Sequence, residues 1–299
     1  ADGALEIMQE KVPASLLACT EDDRYLYIKH PQFTYTFNKL TGLFEKMIYK
    51  NRQILDAPME LNIWRAPTDN DRNLKQEWLR AQYDRTVTRA YETSAEQTED
   101  GVAIRSAMSV SSPAMQRMLD VCAVWTITAE GKVHAALDVK RNMAFPELPR
   151  FGLRLFLPKE MTEVIYFGMG PMESYVDKHH AACHGVFTTN VKALHEDYIR
   201  PQENGSHFDC SYVTVSGGQT GLAAAGLAPF SFNASRYTQE ELTAKAHNFE
   251  LEACSSVVLC LDYRMNGIGS NSCGPRLMKK YRFDEEMFTF AITLEPFAR

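Results

Sequence analysis

No stretch of the 299-residue chain approaches the roughly 18 consecutive apolar positions of a membrane-spanning helix; the longest weakly polar run, residues 221–230, is broken by two glycines and a proline. The opening ADGALEIMQE lacks the basic start and apolar stretch of a signal peptide, and a beginning at Ala1, without methionine, is what a processed or excised piece would show. Charge of one sign is missing too. With 32 basic and 38 acidic residues, a net charge of −6 and no long block of either sign, neither a nucleic-acid surface nor a polybasic membrane anchor is expected. The seven cysteines, at 19, 122, 183, 210, 254, 260 and 273, form no CxxC pair and no even framework, which excludes a zinc ribbon and a regular disulfide scaffold. They read as reduced thiols, most of them buried as small apolar side chains, and this favours the cytoplasm over the periplasm. A GxSxG elbow, a P-loop, HExxH and a dinucleotide fingerprint are also absent, which removes the commoner nucleophilic, nucleotide and zinc-hydrolase readings.

What is present is alternation with period two. Tyr25 and Tyr27 fall on one face and Leu26 and Ile28 on the other, and Phe33, Tyr35 and Phe37 alternate with polar residues before a turn at residues 39–42. Residues 121–127, 133–139, 152–157, 164–167, 212–215, 257–261 and 288–294 are further short runs rich in β-branched, aromatic or other apolar side chains. The pattern predicts an all-β fold, a large antiparallel sandwich forming a single domain over residues 1–299. Two segments read as short helices: Leu74, Trp78 and Leu79 share a face behind the caps Asn70 and Asp71, and Thr238 to Glu241 form a capping box before Leu242. The polar residues 94–101 read as a hairpin loop. His180 and His184, flanked by His179 and Cys183, have the spacing of a helical metal site. Their surroundings carry no capped helical pattern, so histidines in a connection between strands are the expectation.

Glycoside hydrolysis requires two carboxylates facing one bond. The adjacent pairs Glu196-Asp197, Glu240-Glu241 and Glu285-Glu286 would point to opposite faces of a strand and read as solvated. Three other segments are chemically unusual. Residues 64–71, WRAPTDND, run from a strand into short polar side chains that suit either sugar hydroxyls or turn and cap chemistry. Residues 198–205, YIRPQENG, crowd Arg200, Gln202 and Glu203 beside an Asn-Gly turn, as a sandwich-rim polar network would. Residues 265–275, MNGIGSNSCGP, form a glycine-punctuated loop able to approach a ligand through its backbone, without the spacing of a phosphate loop.

Together with GMGPMESY at 168–175 and SRYTQEEL at 235–242 followed by His247, these segments resemble, in order and spacing, the C-terminal domain of family 2 glycoside hydrolases of the β-galactosidase type, from about Tyr25 to Leu294. The resemblance implies a galactose mutarotase-like supersandwich. It occurs as the last domain of a long enzyme or as a separate small subunit, with residues 1–20 as a linker from a preceding domain. Both catalytic glutamates of the retaining mechanism, and the magnesium and sodium sites, belong to a barrel absent from this chain, so no catalytic or metal-binding residue is expected here. The partners implied are the remaining domains or large subunit, and a galactoside, in an oligomer when complete. The substrate-binding loop residues implied are Asp69, Asn70, Asp71, Arg72, Asn73, Ser272 and Cys273, with Arg200, Glu203 and Asn204 as secondary candidates. Asp71, Arg72, Asn73, Leu74 and Lys75 correspond to a mobile loop that shuts over the galactosyl subsite in similar enzymes. The chain departs from the pattern at Cys273, at or next to the position of a sugar-stacking tryptophan, and at Ser174 and Lys178, where asparagine and arginine are common. Two rival readings are a freestanding mutarotase using Glu203 and His180 as proton shuttles, and a purely structural or oligomerisation module.

Overall fold

The computed structural model describes residues 17–269 and 272–298, so most of the 1–20 segment, together with Ser270, Asn271 and Arg299, lies outside the described residues. Alternation builds the first sheet: β1 (Ala18–Glu21), β2 (Tyr25–His30), β3 (Phe33–Asn38), β4 (Leu43–Tyr49) and β5 (Arg52–Gln53) pair in chain order. Leu26, Ile28, Phe33, Tyr35 and Phe37 are buried, while Tyr25 and Tyr27 face outward, half-buried. The second sheet holds β6 (Ala57–Asn62), β7 (Val87–Gln97), β8 (Gly101–Ser111), β9 (Leu119–Thr128), β10 (Val133–Arg141), β11 (Arg150–Leu157), β12 (Glu163–Gly170), β13 (Cys183–Asn190), β14 (Ser206–Gly217), β15 (Thr220–Ser235), β16 (Val257–Met265) and β17 (Met287–Ala298). It forks at β15. The first half of that strand pairs with β17 and leads through β10, β9 and β8 to β7; its end pairs with β16 and leads through β11 to β6. The pairings are antiparallel. The two sheets meet over Trp125, whose ring packs edge-on against Phe37 and Phe44 at 6.1 and 5.4 Å, and the Tyr35 hydroxyl donates to the Gly131 carbonyl at 2.6 Å. Burying each such ring stabilises the fold by about 1.5–3 kcal/mol. This is the expected antiparallel sandwich with two short helices.

Three local expectations are corrected. Residues 94–97 continue β7, and only 98–100 turn; β7 is an edge strand with an exposed face, so its polar composition concealed its pairing with β8. Helix α1 (Leu74–Arg80) buries Leu74 and Trp78, four apart, and leaves Leu79 at 37% exposure because it sits about 100° around the axis from Trp78. Its N-cap is Asn73, and Asp71 instead closes the preceding 3₁₀ turn, Asp69–Asp71. Helix α2 (Gln239–Ala244) does start at Thr238, whose Oγ1 accepts from the Glu241 amide at 3.1 Å, while the Glu241 carboxylate accepts from the Glu252 amide at 2.8 Å. As for the cysteines, all are free, but only Cys210 and Cys260 are buried, while Cys122, Cys183 and Cys273 are exposed. Cys122 occupies the outward phase of β9, opposite in phase to Val121 and Ala123. Among the described residues no helix is long and apolar enough to cross a membrane.

His207 on β14 is stacked between Tyr166 and Phe232 at 4.5 and 5.1 Å, and its Nδ1–H donates to the Met169 carbonyl at 3.1 Å. Burial brings its pKa down from 6.5 to about 4. A histidine depressed in this way contributes stability that is complete above 6.5 and is lost as pH falls towards 4, about 3 kcal/mol across that window. Urea midpoints measured between pH 7 and 4 should therefore fall more steeply for the parent than for His207→Phe; equal slopes would contradict it.

Candidate functional site at the junction of three loops

After β6 the chain enters the interior. Asn62 Oδ1 accepts from the Trp64 amide at 3.0 Å, and Arg65 follows with no exposed surface. Its guanidinium forks onto Asp71, Nε to Oδ2 at 3.2 Å and Nη2 to Oδ1 at 2.7 Å, and lies 5.1 Å from the Trp78 ring of α1. The same group donates to the carbonyls of Asn266 and Gly267. A buried arginine satisfied on all sides thus ties the 68–71 turn, α1 and the 266–269 loop together. Asp71 Oδ2 also accepts from the Thr68 amide at 2.9 Å.

The 266–269 loop is fixed from its other side by Asp177, whose carboxylate accepts from the amides of Ile268 at 2.9 Å and Gly269 at 2.7 Å. The glycine spacing follows from that approach: a Cβ on Gly267 or Gly269 would lie 2.8 or 2.7 Å from the Asp177 carboxylate. Asn70 Nδ2 donates to the Ile268 carbonyl at 2.8 Å, the Ser272 hydroxyl donates to Asn70 Oδ1 at 3.3 Å, and Gln202 Oε1 accepts from the Asp69 amide at 3.0 Å. These ties bring WRAPTDND, RPQENG and Ser272 around one cleft of about 670 Å³, lined among others by Asp69, Arg72, Asn73, Lys75, Arg200 and Ser272. Among the described residues, Asp69 is the single carboxylate of that lining.

Residues 29–294 match the family described as the beta galactosidase small chain. The chain belongs to that family. It is 42% identical over 283 residues to a β-galactosidase from Actinobacillus pleuropneumoniae, covering 95% of this chain and 28% of that protein, and 36% identical over 262 residues to one from Staphylococcus xylosus, covering 88% and 26%. The chain therefore spans little more than a quarter of the length of these relatives. Among solved structures, a galactose mutarotase-like protein from Lactobacillus casei aligns over 95% of this chain and 100% of its own, with a TM-score of 0.48 and 8% identity.

Several of the remaining motif residues are buried and serve the frame around the cleft. Asp71, expected on the substrate loop, is buried and spent on Arg65 and Thr68, and the stretch expected to be mobile is taken up by a 3₁₀ turn and the start of α1. Glu203 is buried, accepting from Arg150 Nη1 at 3.2 Å and from the Ser206 hydroxyl at 2.8 Å. Burial pushes its carboxyl above the usual range, with Arg150 pulling the other way. Asn204 makes a turn, accepting from the Glu196 amide at 3.0 Å and donating to the Gln202 carbonyl at 2.9 Å. So RPQENG divides: Arg200 lines the cleft, Gln202 holds the Asp69 amide, and Glu203 and Asn204 serve the frame. Glu173 of the GMGPMESY segment is a hub for Lys178 Nζ, the Tyr198 hydroxyl and, at 2.8 Å, the Gly205 amide. Burial opposes its charge, yet these donors hold it below the usual carboxylate range. Cys273 is exposed beside Ser272, outside the cleft lining.

His179 and His180 sit in the connection after β12, and His184 on β13 binds Asp209 at 2.9 Å. Among the described residues no group of three or more His, Cys, Asp or Glu is placed to hold a metal ion. Glu203 does not line the cavity of about 500 Å³ that includes His180, so the pair named for a mutarotase does not share a pocket. Sequence reasoning missed Arg65, Asp177 and Gln202 as the groups that join the loops. The signal available for Asp177 was the GxG spacing opposite it, whose partner cannot be named from the sequence.

Proposed function

We propose that this chain is the C-terminal portion of a retaining β-galactosidase of glycoside hydrolase family 2, supplying one wall of a galactoside site whose acid and nucleophile lie on the rest of the enzyme. The observation that carries this reading is the convergence of three motif segments on one cleft. Three motif loops are tied together around a concavity in which Asp69 is the one carboxylate among the described lining residues, whereas glycoside hydrolysis needs two. Arg72, Asn73, Arg200 and Ser272 would bind and orient hydroxyls, and closure against the missing part would exclude water. The magnesium and sodium of this chemistry would be held by that same part. A mutarotase is less well supported, because Glu203 is committed to Arg150 and Ser206.

The purified chain should release no nitrophenol from an aryl β-galactoside above the buffer rate. In the assembled enzyme, Asn70→Ala should lower kcat/KM about 10- to 100-fold, because Asn70 links two loops and misplacement by about 1 Å costs that much. Turnover by the isolated chain, or unchanged kinetics in Asn70→Ala, would refute the reading.

A further inference from the structure

Away from the cleft, the ladder between β14 and β15 breaks twice. His207 pairs with Phe232 and Cys210 with Phe230, so Phe208 and Asp209 stand against Ser231 alone; Tyr212 then pairs with Ala225, so residues 226–229 stand against Ser211 alone. Asp209 takes a left-handed conformation, φ 56°. This costs a residue other than glycine about 1 kcal/mol or more, and bulges of this kind commonly re-aim a side chain beside a site. At the break lies a cavity of about 360 Å³, floored by Phe208 and Asp209 of β14, Phe230 of β15, and Tyr263 and Arg264 of β16, with the 174–176 turn at its side. It shares no lining residue with the cleft.

The chemistry of the walls is specific. Tyr263 is stacked on Phe288 at 4.7 Å and 11°, with its hydroxyl donating to Glu285 at 2.9 Å, and Phe208 is stacked on His179 at 5.5 Å and 30°. Both rings are therefore held before any ligand arrives. Asp209 Oδ2 is taken by His184, leaving Oδ1 without a partner among the described residues. Arg264 donates through Nη1 to Glu285 and through Nη2 to the Lys280 carbonyl at 2.8 Å, which leaves its Nε. β15 lies between the strands carrying the two groups, so their backbones are about 10 Å apart, room for one six-membered ring with a polar group at each end. Arg264 is already paired with Glu285 and Asp209 is hydrogen-bonded to His184, so both polar groups are anchored before a ligand arrives. Fixed aromatic faces, a spare carboxylate oxygen and a spare guanidinium N–H suit a neutral, polyhydroxylated ring. The C–H face of such a ring packs on the aromatics, and its hydroxyls meet the polar pair.

We propose that this cavity is a second, non-catalytic saccharide site that takes a neutral pyranose. Every group it uses is on this chain, so it binds without the rest of the enzyme, independently of the function proposed for the cleft. Titration of the chain with methyl β-D-galactopyranoside and, separately, methyl α-D-glucopyranoside, followed by saturation-transfer NMR and calorimetry, should show saturable binding of at least one, with Kd on the order of 1 mM. Asp209→Asn, which keeps the shape and the tolerance for the left-handed backbone, and Tyr263→Ala should each weaken it at least about tenfold. Asp209→Gly, which relieves the backbone while removing the carboxylate, should be as stable as the parent or more so and should lose binding equally. Binding should persist in Arg72→Ala, which alters the cleft. No saturable binding of either glycoside would overturn the proposal, as would binding that survives both Asp209 variants or that disappears in Arg72→Ala.

Discussion

Arg150→Met is expected to destabilise the chain by about 3–5 kcal/mol at neutral pH, with the loss shrinking as pH falls towards 4. Arg150 has no exposed side-chain surface, and its guanidinium holds Asp262 through Nε at 3.0 Å and through Nη2, and Glu203 through Nη1 at 3.2 Å. Burial works against its charge, but Asp262, Cys260 and Glu203 more than offset this and hold its pKa well above the ordinary value. Burial pushes both acids up, with Arg150 opposing. Removing the arginine leaves two carboxylates in the interior with no positive partner. An acid whose folded pKa is raised destabilises the fold once pH exceeds its unfolded value, and the penalty vanishes as pH falls through that window. The variant's deficit should accordingly be largest near pH 7 and smallest near pH 4. Lysine should not restore stability, because it cannot reproduce the fork. Urea unfolding of the parent, Arg150→Met and Arg150→Lys across that range tests all three statements, and a loss below about 1 kcal/mol or one that ignores pH would count against them.

Asp71→Asn should cost a similar amount, about 3–5 kcal/mol, but acid should bring no relief. Here the orphan is a guanidinium, which cannot shed its charge in a protein. Arg65 would remain buried against Trp78 and the carbonyls of Asn266 and Gly267 without the carboxylate it forks onto. The double variant Arg65→Met with Asp71→Leu should lose less stability than Asp71→Asn alone, because a buried pair replaced by apolar side chains leaves no unpaired charge. Its effect on activity should go the other way. With both partners gone, the 266–269 loop loses both Arg65 hydrogen bonds and keeps the single Asn70 bond to Ile268, so kcat/KM of the assembled enzyme proposed above should fall further than in Asn70→Ala, even where stability is partly recovered. Chemical unfolding and steady-state kinetics on the same three proteins separate the two roles. Activity that tracks stability across the set would mean that Arg65 and Asp71 only support the fold.

The alternation of Leu26, Ile28, Phe33, Tyr35 and Phe37 was enough to predict the sandwich, since period two is a local property that each strand carries by itself. Thr238 and Leu242 announced α2 for the same reason. The motif order likewise indicated which loops would meet. It did not separate Asp69, Asn70 and Asp71, three consecutive short polar residues that look alike on paper. In the fold, Asp69 lines the cleft, Asn70 ties two loops and Asp71 is buried under Arg65. The deciding contacts are remote: Arg65 meets Asn266 at a separation of 201 residues, Arg150 meets Asp262 at 112 and Asp177 meets Ile268 at 91. A buried charge is tolerated only where an opposite charge or a fan of amides is delivered to it. That delivery is set by strand register and by the fork of the sheet at β15, so the alphabet of the chain determined the sandwich and its motif loops, and the tertiary structure alone decided which polar residues face the cleft and which hold it open.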